Sequence, residues 1–309
     1  MAEKKSRNRT IRLSKEDEKK YSKNLLRLNK QISLAKITNK IINQDFFEAI
    51  NFIPDKSVNL LILDPPYNLD KEFNGRKFKA MSLEKYAEWI DNVIMLLFPK
   101  LKQDASIYFC SDWKTSTSVH LVMEKYFKVR NRITWEREKG RGSKVNWKNN
   151  SEDIWFCTCS DKYRFNIDAV KLKRKVMAPY RVDGKPKDWN EDNGSQFRIT
   201  CPSNIWTDIS IPFWSMPENT EHPTQKPEKL IAKLILASSQ KGDVVLDPFA
   251  GVGTTCVTAS KLGRKFIGIE IDTNYALTAL KRLGIAETNG EIQGYKDGIF
   301  WERNSFPYK

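Results

Sequence analysis

The chain has 309 residues and carries 53 Lys and Arg against 38 Asp and Glu, a formal net charge of +15. Its 40% hydrophobic content, with 16 Phe, 10 Tyr and 9 Trp, suffices for a packed core and excludes global disorder. No apolar run approaches the roughly 18 residues of a membrane span, the leading MAEKKSRNRT lacks the apolar segment of a signal peptide, and five scattered cysteines form no disulfide framework. A reducing, cytoplasmic setting with no membrane partner is expected.

The charge is unevenly placed. Residues 1–40 contain 13 Lys/Arg against four Asp/Glu, residues 130–200 contain 17 against ten, and the remainder is close to neutral. Two basic blocks on a neutral body point to an enzyme core with a polyanion-binding surface.

In chain order, residues 14–33 read as a charged helix opened by Ser14 with acids in its first turn. From residue 38 the texture alternates between strand and helix. Strands are expected at 58–63, 105–109, 129–135, 152–158, 243–246 and 265–269, and helices at 83–98, 115–126, 226–238, 254–262 and 273–283. Such alternation predicts an α/β, Rossmann-like fold: a mainly parallel twisted sheet with helices on both faces. Residues 160–215 break the rhythm and read as an insertion. The expected division is a basic arm at 1–37, a body formed by 38–159 and 216–309, and the insertion at 160–215.

Two motifs follow strands directly. Asp64-Pro65-Pro66-Tyr67 comes after Val58–Leu63, and Asp247-Pro248-Phe249-Ala250-Gly251-Val252-Gly253-Thr254-Thr255 comes after Asp243–Leu246. Carboxyl ends of parallel strands share one edge, where ligands bind at the point of strand-order reversal. Gly251 and Gly253 allow a tight turn and close backbone approach before the helix from Thr254. No Lys follows as in a phosphate loop, and Cys256 occupies the third glycine position of a dinucleotide fingerprint. Glu270, ending the next strand, suits a ribose hydroxyl pair. These features favour a nucleoside ligand lacking pyrophosphate, a description that S-adenosylmethionine fits.

Asp64-Pro65-Pro66-Tyr67 makes different demands. The prolines remove donors and stiffen the carbonyls of Asp64 and Pro65 as acceptors. A carboxylate, rigid carbonyls and an aromatic face suit a planar ligand with an exocyclic amino group, Tyr67 stacking on the ring.

The ordered set of Asp64-Pro-Pro-Tyr67, then His222-Pro223-Thr224-Gln225-Lys226-Pro227, then the Asp247–Thr255 block resembles the beta group of S-adenosylmethionine-dependent amino DNA methyltransferases. The resemblance covers most of residues 38–283. It implies catalysis by Asp64, Pro65, Pro66 and Tyr67, with Phe249–Gly253, Asp247 and Asp64 around the methionine part of the cofactor. Gly253 and Thr254 would complete that turn, Glu270 would hold the ribose, Asp45 and Phe46 would touch the adenine, and Thr224 and Lys226 would reach the carboxylate end. The implied reaction is direct in-line methyl transfer to the N6 amino group of adenine in double-stranded DNA after base flipping. N4-cytosine transfer is the alternative, Asp before Pro-Pro-Tyr leaning towards adenine. RNA methylation and a non-catalytic nucleic-acid-binding module are further alternatives. Carbon-5 cytosine chemistry is disfavoured because Cys201-Pro202 has the wrong order, and no Cys/His spacing marks a metal site. The insertion is expected to carry target recognition. A cognate restriction endonuclease and a homodimer are partners the family admits.

Overall fold

The computed structural model describes residues 8–73, 75–137, 144–176, 180–192 and 195–302. Its principal strands are β1 (Lys40–Asn43), β2 (Val58–Leu63), β3 (Leu101–Ser111), β4 (Lys128–Glu136), β5 (Ser151–Thr158), β6 (Leu172–Lys175), β7 (Asn190–Asp192), β8 (Ser195–Thr200), β9 (Ile205–Trp206), β10 (Val244–Asp247), β11 (Lys265–Glu270), β12 (Tyr295–Lys296) and β13 (Ile299–Trp301). The longer helices are α1 (Lys15–Tyr21), α2 (Leu83–Leu97), α3 (Ser116–Tyr126), α4 (Glu228–Ser238), α5 (Thr254–Lys261) and α6 (Thr273–Ala286).

Eight strands form the main sheet in the order β1-β11-β10-β2-β3-β5-β4-β9. Burial on both faces explains the apolar run 60–63 of β2: Leu61 and Leu63 enter one core with α2 and α3, while Leu60 and Ile62 enter the other with α4 and α6. From β10 the chain passes through α5 to β11 on one side, and from β2 through α2 to β3 on the other. The β10/β2 boundary, paired at Val245↔Leu60 and Leu246↔Leu61, is therefore the switch point, and both motifs leave the sheet there.

The expected α/β sheet is present, with one strand reversed. β5 is antiparallel to β3 and β4, with Asp153 opposite Ser111. Its first residues thus lie at the edge where the parallel strands end. β1 was not expected, being only four residues long, and it forms the outer strand beside β11.

The helix expected over 14–33 is shorter. Ser14 and Asp17 form a reciprocal capping box, but α1 stops at Tyr21. Leu25 packs on one core and Leu26 on the other, an alternation that needs extended chain. Asn43 N–H accordingly donates to Leu26 O at 2.8 Å. The arm lies on the body through Asp17–Lys281 at 2.6 Å, Arg12–Glu221 at 2.8 Å and an Ile11–Thr220 bridge.

A second sheet has the order β7-β8-β6-β13-β12. The segment 295–301, grouped from sequence with the body, pairs instead with the insertion at Phe300↔Leu172, while β9, from within the insertion range, extends the main sheet. Helix α4 is sandwiched between the sheets and buries all 11 residues. Its Leu230, Ile231, Leu234 and Ile235 face the main core, and Ala232, Leu236 and Ala237 meet Val170, Leu172 and Phe300. Its buried charges are paired as burial requires: Lys233 with Asp208 at 2.7 Å, and Glu228 with Arg282 at 3.0 Å and Lys261 at 2.7 Å.

Candidate active site

The turn after β2 is held from several sides. Pro65 and Pro66 fix their own φ, the Tyr86 hydroxyl of α2 donates to Pro66 O at 3.0 Å, and Asn68 exchanges two bonds with the Met81 backbone, both at 2.8 Å. The turn after β10 uses glycines where other residues would strain. Gly251 has φ +52° and Gly253 φ +74°; a Cβ on Gly253 would lie 2.6 Å from Ala279 Cβ of α6. Gly253 also caps α5.

Between the two turns lies a cavity of about 460 Å³. Of the residues expected from sequence, Asp64, Pro65, Pro66, Tyr67, Thr224, Lys226, Asp247, Phe249, Gly251, Thr254 and Glu270 line it. Three do not. Gly253 acts behind the wall through the turn itself. Phe46 is buried with its ring 5.2 Å from that of Phe249, and Asp45 accepts the Phe47 N–H at 2.8 Å, capping a short helix. Ile271, Asp272 and Tyr275 join Glu270 on the wall and were not singled out from sequence.

Two carboxylates on the wall formed by the ends of β10 and β11 have no cationic partner among the described residues. Asp247 accepts the Phe249 N–H at 3.1 Å, and Glu270 accepts Gly251 N–H and Asp272 N–H, both at 2.7 Å. Among the described residues neither carboxylate has an ion-pair partner. Burial pushes Asp247 up to about 7 and Glu270 up to about 7, against the hydrogen bonds they accept. His222 is half-buried, and desolvation together with Lys226, Lys71 and Arg282 lowers it to about 3, so its ring is neutral at ordinary pH. The His222 and Tyr275 rings meet edge to face at 4.5 Å.

The opposite wall is an ion-paired cluster. The Lys226 ammonium donates to Asp64 Oδ1 at 2.8 Å and to the Tyr67 hydroxyl at 3.1 Å, and lies 3.1 Å from Glu152 Oε2. Tyr67 donates to Glu152 Oε2 at 3.0 Å, and Arg137 pairs with Glu152 Oε1 at 2.5 Å. Burial alone would lower the lysine, but Asp64 and Glu152 outweigh it and hold Lys226 above its ordinary value. Burial raises Asp64, with Lys226 opposing. Lys226 thus spends its charge on Asp64 and Glu152, a different set of partners from the cofactor carboxylate that the resemblance implies. Glu152 and Arg137 were not singled out from sequence, because nothing local gives the direction of the strand at 152–158, and only a reversed strand begins at this edge.

The family model described as DNA methylase, covering N6 and N4 methyltransferases, matches residues 58–281. The chain is 36% identical over 253 residues to the DNA adenine methyltransferase YhdJ of Escherichia coli K12, covering 80% of this chain and 83% of that one. It is 32% identical over 273 residues to the Type II methyltransferase M.BglII of Bacillus subtilis, covering 84% and 72% respectively. Among solved structures, the M1.HpyAVI–SAM complex superposes with TM-score 0.54 and 26% identity, covering 79% of this chain and 98% of that one. The cytosine-N4-specific PvuII methyltransferase, with TM-score 0.59 and 18% identity over 86% and 95% of the two chains, shares the fold.

Proposed function

The chain belongs to the DNA methylase family, and from that premise we propose that it moves the methyl group of S-adenosylmethionine to the N6 amino group of adenine in duplex DNA. The observation carrying this reading is that Asp64 and Tyr67 on one side, and Asp247, Gly251 and Glu270 on the other, line one cavity at the switch point of the sheet.

The residues fit this cofactor on their chemistry. Asp247 and Glu270 are buried acceptors without a cation, and a ligand bearing an ammonium, a sulfonium and a ribose diol supplies the missing charge and donors. Asp247 would take the methionine end, Glu270 the ribose, and the Phe249–Gly251 backbone would lie against the methionine part. For the adenine, Ile271, Asp272 and Tyr275 join the wall beside Glu270, while Asp45 and Phe46 act from behind it through Phe249. Bound there, the cofactor contributes a methyl group already activated by its sulfonium.

The remaining work belongs to the chain. An aromatic amine is a poor nucleophile because its lone pair is delocalised into the ring. Asp64 and the Pro65 carbonyl accept its two N–H bonds and turn the lone pair towards the cofactor side, while Tyr67 stacks on the base. Positioning of this kind accounts for about 7–11 kcal/mol of barrier lowering in well-oriented systems. Asp64 serves as an oriented acceptor, since Lys226 already neutralises much of its charge.

The target base must leave the helix at a cost of a few kcal/mol, offset by contacts along the same sheet edge. Lys144 and Trp147, ahead of β5, are exposed, Trp147 at 95%, and Trp113, 54% exposed, follows β3. Lysines supply phosphate contacts and exposed indoles supply stacking. Residues 160–215, in this reading, carry target recognition. Within them the basic segment Lys171–Lys175 is partly structural: Lys173 lies over the Phe197 and Trp301 rings. A cognate endonuclease and a second copy of the chain complete the biological proposal. No helix among the described residues is long and apolar enough to cross a membrane.

The substrate class is tested by incubating the protein with labelled S-adenosylmethionine and either duplex DNA or RNA. Label on DNA is expected; label on RNA alone would overturn the reading.

A further inference from the structure

The reacting carboxylate is one end of a buried chain of charges that the transfer reaction, as derived above, does not use in full. Glu152 is 4% exposed, yet it receives three groups at once: the Lys226 ammonium, the Tyr67 hydroxyl and the Arg137 guanidinium. A buried carboxylate is costly to desolvate, and only closely placed donors offset that cost. Here the donors are those that need placing. Lys226 and Tyr67 each have a second role in the cavity, and the Arg137 main chain is anchored, its backbone N–H donating to Asn150 O at 2.7 Å.

We propose that Glu152, oriented by Arg137, is the positioning residue of this site. It fixes the Lys226 ammonium on Asp64 Oδ1, leaving the second carboxylate oxygen of Asp64 for the target amino group, and it fixes the tilt of the Tyr67 ring by accepting the phenol hydrogen. Glu152 itself touches neither cofactor nor base.

The geometry explains why the carboxylate sits on β5. Only a strand antiparallel to its neighbours begins at the edge where Asp64 lies, so its second residue meets the lysine without a loop. Without the Glu152 charge, Lys226 keeps Asp64 as its one anion, and the phenol loses its acceptor. Lys226 and Tyr67 then turn, and Asp64 presents the wrong edge to the base. Cofactor contacts at Asp247 and Glu270, across the cavity, are unaffected.

This role rests on the reading of the chain as an amino methyltransferase, and the test separates the two. Full-length protein, Glu152→Gln, Arg137→Gln and the double variant are compared for kcat on duplex DNA and for cofactor Kd by calorimetry. Arg137 has a partly exposed side chain, so its variant reports on the pair even if Glu152→Gln folds poorly. The expected result is a loss of at least about tenfold in kcat for Glu152→Gln, a smaller loss for Arg137→Gln, cofactor Kd within about twofold of the parent in both, and a double variant no slower than Glu152→Gln alone, as coupled residues behave. An active parent whose variants keep kcat within about twofold, lose cofactor affinity in step with kcat, or show losses that multiply would overturn the role alone. A parent that binds cofactor but transfers nothing to DNA would overturn the functional reading and this role with it.

Discussion

The Lys226 ammonium stands 2.8 Å from Asp64 Oδ1, although 162 residues separate them in sequence. The pair joins the strand-end turn after β2 to the segment leading into α4, and with Glu152 it closes one wall of the cavity. Removing one partner of such a buried pair leaves an uncompensated charge and costs about 3–5 kcal/mol. Lys226→Met is therefore expected to lower unfolding stability by that order and to abolish transfer. Urea denaturation and a methyl-transfer assay check both; a variant of parental stability would show that the pair is not held as described.

The glycine turn gives a contrast between neighbours. Gly253→Ala places a Cβ 2.6 Å from Ala279 Cβ at φ +74°, so helix α6 must shift. Left-handed backbone alone costs a non-glycine residue about 1–2 kcal/mol, and the clash adds to it. Gly251→Ala meets only the His222 ring edge at 3.3 Å, but does so on the cavity wall. Thermal unfolding is expected to fall more for Gly253→Ala, and cofactor affinity more for Gly251→Ala relative to its stability loss. The reverse ranking would contradict the assignment of the two glycines.

Asp247 and Glu270 give the site a pH dependence of defined sign. Burial raises Asp247 from 3.8 to about 7 and Glu270 from 4.5 to about 7. The folded, ligand-free chain therefore holds more protons than the unfolded chain between those values, and their contribution to stability falls as pH rises through that window. A cationic, donor-rich cofactor favours the ionised carboxylates, so its binding releases protons below about pH 7 and tightens as pH rises towards 8. Calorimetry in buffers of different ionisation heat measures this release. Proton uptake on binding would contradict it.

Much of this molecule was legible in its sequence because its signals are local. The apolar run of β2, the helix start at Ser14 with its acidic first turn, and the two strand-end motifs each declare themselves within about ten residues. Parallel strand ends share an edge, so Asp64 and Asp247 could be brought together without coordinates. What stayed hidden depends on direction or on partners. Nothing within Ser151–Thr158 says that β5 runs backwards, so Glu152 escaped notice. Lys226 was recognised as a site residue, but its partners are set by that reversed strand. Leu25 and Leu26 fit a helix pattern until the two cores they enter are known, and Asp45 looks equally like a ligand contact and a helix cap.

The most direct measurement is nucleoside analysis of duplex DNA after incubation with S-adenosylmethionine and either the parent chain or Asp64→Ala. N6-methyladenine is expected from the parent and none from the variant. N4-methylcytosine would contradict the assigned base, and N6-methyladenine from Asp64→Ala at the parental rate would contradict the mechanism.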